Sequence, residues 1–138
     1  MLTVLFFLIF TNNKFPAFGE VGFSQPTYVL RAGVAKSAER FALILKREKG
    51  SDGDVTITWK ARNDDFADLL LKPASMGGEV KLREGEKSAS LWLHLCEGWR
   101  DLLKEVNVGV DLVKASGGAS LNTEKMTSTV SLVPGEKI

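Results

Sequence analysis

One histidine and one cysteine, His94 and Cys96, stand two residues apart in the run Leu91-Trp92-Leu93-His94-Leu95-Cys96. On a strand, side chains two apart project from the same face. An imidazole and a thiolate could begin a zinc site, but such a site takes four ligands. The chain has no C-x-x-C pair, and nothing near His94 and Cys96 completes the set. A single cysteine also excludes an internal disulfide. We therefore read His94 and Cys96 as two unrelated surface or boundary residues.

The remaining candidates for chemistry are carboxylates. They fall in pairs such as Asp64-Asp65 and Glu97/Asp101. Paired carboxylates can do acid–base work, yet a reaction also needs a nucleophile, orienting groups and a cleft. With one histidine beside one cysteine, no Ser-His-Asp arrangement can be assembled. Gly77-Gly78 and Gly117-Gly118 lead into strand-like segments, whereas a phosphate cradle leads into a helix. These residues point away from an enzyme. Eighteen basic residues against 17 acidic ones leave a net charge of +1. That is no field with which to gather nucleic acid.

The elements that must position these residues are strands. Phe41, Leu43 and Leu45 alternate with Ala42, Ile44 and Lys46, and Val55, Ile57 and Trp59 alternate with Thr56, Thr58 and Lys60. The same period of two runs through Val80 and Leu82, through Leu91, Leu93 and Leu95, and through Val106, Val108, Val110 and Leu112. It is the mark of a half-buried strand. Thr127 to Val133 is rich in β-branched residues. Val21 to Phe23 with Thr27 to Leu30 reads as an opening strand. Turn clusters at 49–53, 76–78, 84–86 and 116–118 punctuate the runs.

This pattern predicts an all-β domain: a seven-strand antiparallel Greek-key sandwich, immunoglobulin-like. If Leu91, Leu93 and Leu95 face its core, Trp92 stands on the outer face with His94 as an interface anchor. The alternatives are the reversed register and a Trp92 that covers a sheet edge. Two segments interrupt the alternation, Phe66 to Leu71 and Trp99 to Lys104, and both read as short helical turns in loops. Leu69, Leu70, Trp99, Leu102 and Leu103 then either plug the open ends of the sandwich or form a contact patch for a neighbouring domain.

Residues 1–19 stand apart from the domain at 20–138. Met1 to Phe10 is nearly all apolar, yet too short for a membrane helix of about 20 residues. It fits the core of a secretory signal, with Ala17-Phe18-Gly19 as a cleavage site. No Lys or Arg precedes the apolar run, however, so an apolar arm that packs on a partner is the second reading.

The order of motifs is similar to that of Calx-beta domains. Glu20-Val21-Gly22-Phe23-Ser24-Gln25-Pro26-Thr27-Tyr28 resembles the opening strand of that family. The resemblance continues through Gly50-Ser51-Asp52-Gly53 and Val55 to Trp59, through Asp65-Phe66, and through Gly78 to Leu82 running into Gly85-Glu86-Lys87. It ends with Val110-Asp111-Leu112 and Gly117 to Leu121, so that it spans nearly all of Glu20 to Leu132. It implies a seven-strand sandwich of a kind found in sodium/calcium exchangers and in extracellular adhesion and matrix proteins. Some members bind calcium at one end of the sandwich.

By the same resemblance, calcium would fall to Asp64, Asp65, Glu97, Asp101 and Glu105. The family's carboxylate after the opening strand is here Arg31, and Arg100 and Lys104 interrupt its acidic stretch. Three or four scattered carboxylates fall short of the six to eight oxygens that calcium takes. If Arg31 projects toward Asp65 and Glu97, its guanidinium would neutralise them where relatives use an ion. A solvent-facing Arg31 is the other reading. The expectation is thus a non-catalytic, secreted or cell-surface module for structure or adhesion, with a degenerate calcium site. Its partners would be other protein domains, matrix components or further copies of itself. A calcium-binding regulatory module, in a cytosolic setting, is the alternative.

Overall fold

The computed structural model describes residues 16–31, 40–62, 71–72, 75–96 and 102–134. Nine strands follow one another: β1 (Glu20–Phe23), β2 (Thr27–Arg31), β3 (Arg40–Glu48), β4 (Val55–Ala61), β5 (Gly77–Leu82), β6 (Ser88–His94), β7 (Val106–Ser116), β8 (Ser120–Leu121) and β9 (Thr127–Val133). They form two sheets, ordered β6-β3-β1-β8 and β2-β9-β7-β4-β5. The architecture is the expected β-sandwich. No helix among the described residues is long and apolar enough to cross a membrane.

Alternation decides which side chains meet between the sheets. Leu43 and Leu45 of β3, Leu91 and Leu93 of β6, Val55, Ile57 and Trp59 of β4, Val108, Val110 and Leu112 of β7, and Val130 and Leu132 of β9 are all buried. Each fully buried aliphatic chain contributes roughly 1.5–3 kcal/mol by leaving water, so this shared layer supplies most of the cohesion between the sheets.

The strand count differs from the expected seven in two places. The opening run divides into two strands that belong to different sheets: β1 pairs antiparallel with β3, and β2 pairs parallel with β9. Pro26 lies at the crossing, where it lacks the N–H that a continuing ladder would require. Neighbouring groups hold the crossing in place. Ser24 N–H donates to the Ile44 carbonyl at 2.8 Å, Thr129 N–H donates to the Pro26 carbonyl at 2.9 Å, and the buried Ser128 hydroxyl donates to the Gln25 carbonyl at 3.0 Å. The ninth strand is the two-residue β8, which pairs parallel with β1.

A bulge in the β4–β7 pairing matches Thr58 with Lys114 but Trp59 with Leu112. Val113 is the extra residue and stands exposed, which fits the way a bulge breaks the inward–outward phase of a strand. Leu71 forms an isolated bridge with Leu95 and is buried, so it ends the 66–71 segment in extended form. Residues 66–70 lie outside the described residues. Of the second expected helical turn, 99–104, only 102–104 are described, and they form no helix.

Candidate functional site

The sandwich presents two ends and two sides. At one end, β2 finishes at Arg31 beside Val133 of β9, β7 begins at Val106 beside Leu132, and β3 begins at Arg40 beside His94 of β6. The chain enters and leaves 32–39, 63–70 and 97–101 from this end. Of the carboxylates expected at the calcium site, Asp64, Asp65, Glu97 and Asp101 lie outside the described residues, and Glu105 is exposed ahead of β7. Arg31 occupies an outward, exposed position on β2, and its Nη1 donates to the Pro134 carbonyl at 3.3 Å. Asp65 and Glu97, the carboxylates expected near it, lie outside the described residues. Among the described residues no group of three or more His, Cys, Asp or Glu side chains is placed to hold a metal.

The opposite end holds an internal cation that sequence reasoning missed. Arg47 follows Leu43 and Leu45 on the core face of β3 and is only 3% exposed. Its Nε donates to the Phe18 carbonyl at 2.7 Å, Nη1 to the Arg83 carbonyl at 3.4 Å, and Nη2 to the carbonyls of Gly53, at 3.0 Å, and Asp52. Four carbonyl oxygens from three chain segments thus converge on one guanidinium. The planar fork with its five donors suits the task. The acidic side chains nearby are occupied by backbone amides: Asp52 accepts from Ala17 N–H at 2.8 Å, and Asp54 from Glu84 N–H at 2.9 Å.

On one side of the sandwich, β5 and β6 are the edge strands of their respective sheets. Between them runs a groove of about 630 Å³, lined by Trp59, Gly77, Gly78, Trp92 and His94 among others. Trp92 is 43% exposed, and the Arg40 guanidinium carbon lies 4.6 Å from the centre of its ring. The register is not reversed: the leucines of β6 face the core, and Trp92 stands outward on an edge strand. His94 is exposed, while its backbone N–H donates to the buried Ser75 hydroxyl at 2.6 Å. Cys96 is a free, half-buried thiol just past β6.

The leucines expected to form a contact patch divide. Leu102 packs half-buried against the core, Leu103 is 80% exposed, and Leu69, Leu70 and Trp99 lie outside the described residues.

No family model matches the sequence, and no curated protein matches it. The fold, in contrast, matches solved structures. The Calx CBD2 domain aligns at a TM-score of 0.72 and 16% identity, covering 91% of this chain and 92% of that one. The apo form of the Calx CBD1 domain aligns at 0.68 and 13% identity, covering 85% of this chain and 97% of that one. The calcium-binding domain CBD12 of CALX1.1 aligns at 0.65 and 13% identity, covering 83% of this chain and 45% of that longer one. The chain has the Calx-beta-like sandwich fold.

Proposed function

We propose that the chain is a non-catalytic module of Calx-beta type that serves structure or adhesion at a secreted or cell-surface location, with a calcium site that has degenerated. The observation that carries the binding role is Trp92, a large aromatic held outward on an edge strand by the Arg40 guanidinium. Tryptophan fixed in this way is a preferred interface anchor, because it presents area with little rotamer freedom left to lose. Its partners are other protein domains, matrix components or further copies of this chain, with Met1 to Phe10 available as an added strand. Sedimentation velocity tests the self-assembly form of this reading. Association that grows with concentration and is lost in Trp92→Ala or on deletion of Met1 to Phe10 supports it. A monomer at every concentration contradicts it.

A calcium-binding regulatory module is the second reading. It is favoured by the likeness to Calx domains and by the meeting of the strand ends that flank Asp64, Asp65, Glu97, Asp101 and Glu105. Against it stand Arg31 at the position of a family carboxylate and the exposed setting of Glu105.

A further inference from the structure

Trp59 sits on the core face of β4 and is 94% buried, its relative exposure being 6%. Its register partner on β5 is Gly78. A Cβ on Gly78 would lie 3.3 Å from Trp59 Nε1, 3.4 Å from Cζ2 and 3.5 Å from Cε2. The missing side chain is what leaves the indole edge open to the groove between β5 and β6. The Nε1–H donates to no described residue, although a buried indole N–H ordinarily finds an acceptor. A donor at the floor of a groove can be met by water or by an acceptor atom of a ligand that displaces it.

The walls define what that ligand must be. Trp92 supplies an aromatic surface, and Ser88, Ser90 and His94 add groups able both to donate and to accept. Glu79 and Glu86 are offset by Lys81 in the lining and by the Arg40 guanidinium over Trp92, so the groove has no strong field for either an anion or a cation. Its volume of about 630 Å³ falls within the roughly 300–1,000 Å³ typical of small-molecule sites. A neutral ligand with many hydroxyls and a ring face of C–H bonds satisfies every part of this lining. Hydroxyl oxygens accept from the indole N–H, and C–H bonds pack on the negative face of an aromatic ring. An extended peptide fits less well, because charged side chains such as Lys81 on an edge strand oppose the addition of another strand.

We propose that the groove between β5 and β6 binds a neutral sugar, with the Trp59 indole N–H as the buried donor and Trp92 as the stacking surface. The inference rests on the groove alone and needs neither calcium nor self-assembly. Titration calorimetry of the full chain in the presence of a chelator tests it, using short neutral oligosaccharides of glucose, mannose, galactose and xylose. At least one class binds saturably. Trp92→Ala removes the stacking surface, and Gly78→Ala places a methyl group over the indole N–H. Each weakens binding by about tenfold or more while circular dichroism shows the fold retained. The proposal is overturned if no class binds, if either folded variant keeps the original affinity, or if extended peptides bind in the groove and oligosaccharides do not.

Discussion

Arg47 Nε donates to the carbonyl oxygen of Phe18 at 2.7 Å, which ties the end of the β3 core face to the segment leading into β1. The same guanidinium reaches the carbonyls of Arg83, Asp52 and Gly53. One side chain therefore fixes how three segments sit together at this end. A buried carbonyl left without a donor costs about 1–3 kcal/mol. Removing Arg47 takes this donor from the Phe18, Asp52 and Gly53 carbonyls together, while the Arg83 carbonyl keeps the Glu86 N–H at 2.9 Å.

Arg47→Met is accordingly expected to lower stability by about 3 kcal/mol or more, read as a shift in the urea midpoint without a change in slope. Arg47→Lys recovers only part of the loss, because an ammonium is a point charge that cannot serve the same fork of acceptors. A loss below about 1 kcal/mol for Arg47→Met would show that the carbonyls find other donors.

The Tyr28 hydroxyl accepts the Ile44 N–H at 3.1 Å and lies 3.1 Å from the Ser24 hydroxyl, while its ring meets Phe41 edge-on at 5.5 Å. It thus joins β2 of one sheet to β3 of the other, beside the crossing at Pro26. Tyr28→Phe keeps the ring contact and strands the Ile44 amide, so it should cost about 1–2 kcal/mol in chemical denaturation. No change would mean that the hydroxyl adds nothing to the crossing.

The Arg40–Trp92 pair should matter little for folding. A cation over an exposed ring contributes about 0.5–1 kcal/mol, so a double-mutant cycle with Arg40→Ala and Trp92→Ala should return a coupling of that size. A coupling near zero would show that Arg40 does not hold the ring. That would remove the pre-organisation on which the anchor role of Trp92 rests.

Most of the sandwich was legible because its strands are half-buried and alternate openly, as in Val55-Thr56-Ile57-Thr58-Trp59. The split between β1 and β2 was not, since Ser24-Gln25-Pro26 reads only as an interruption. The change of sheet is decided by distant partners, Leu45 for Phe23 and Thr129 for Thr27. The two residues of β8 are too few to carry a period. Arg47 was within reach: the alternation through Phe41, Leu43 and Leu45 continues onto it, but a charge at that position masks the pattern. Arg31 stands where the resemblance puts a carboxylate, at an exposed position of β2, and its expected partners Asp65 and Glu97 lie outside the described residues. The Trp59–Gly78 relation depends on the pairing register between β4 and β5, which neither strand encodes by itself. Asp64, Asp65, Glu97 and Asp101 lie outside the described residues, so the acidic end rests on sequence alone.

A module with a degenerate calcium site stays folded without drawing on the ion. The most direct test is the melting temperature of the full chain in millimolar calcium and again in chelator. A ligand present at about a hundred times its dissociation constant stabilises the folded state by about 2.7 kcal/mol, enough to raise the melting temperature of a domain this size by several degrees. The same melting temperature is expected in both conditions. A calcium-dependent rise of several degrees would contradict it and would assign the ion to Asp64, Asp65, Glu97, Asp101 and Glu105.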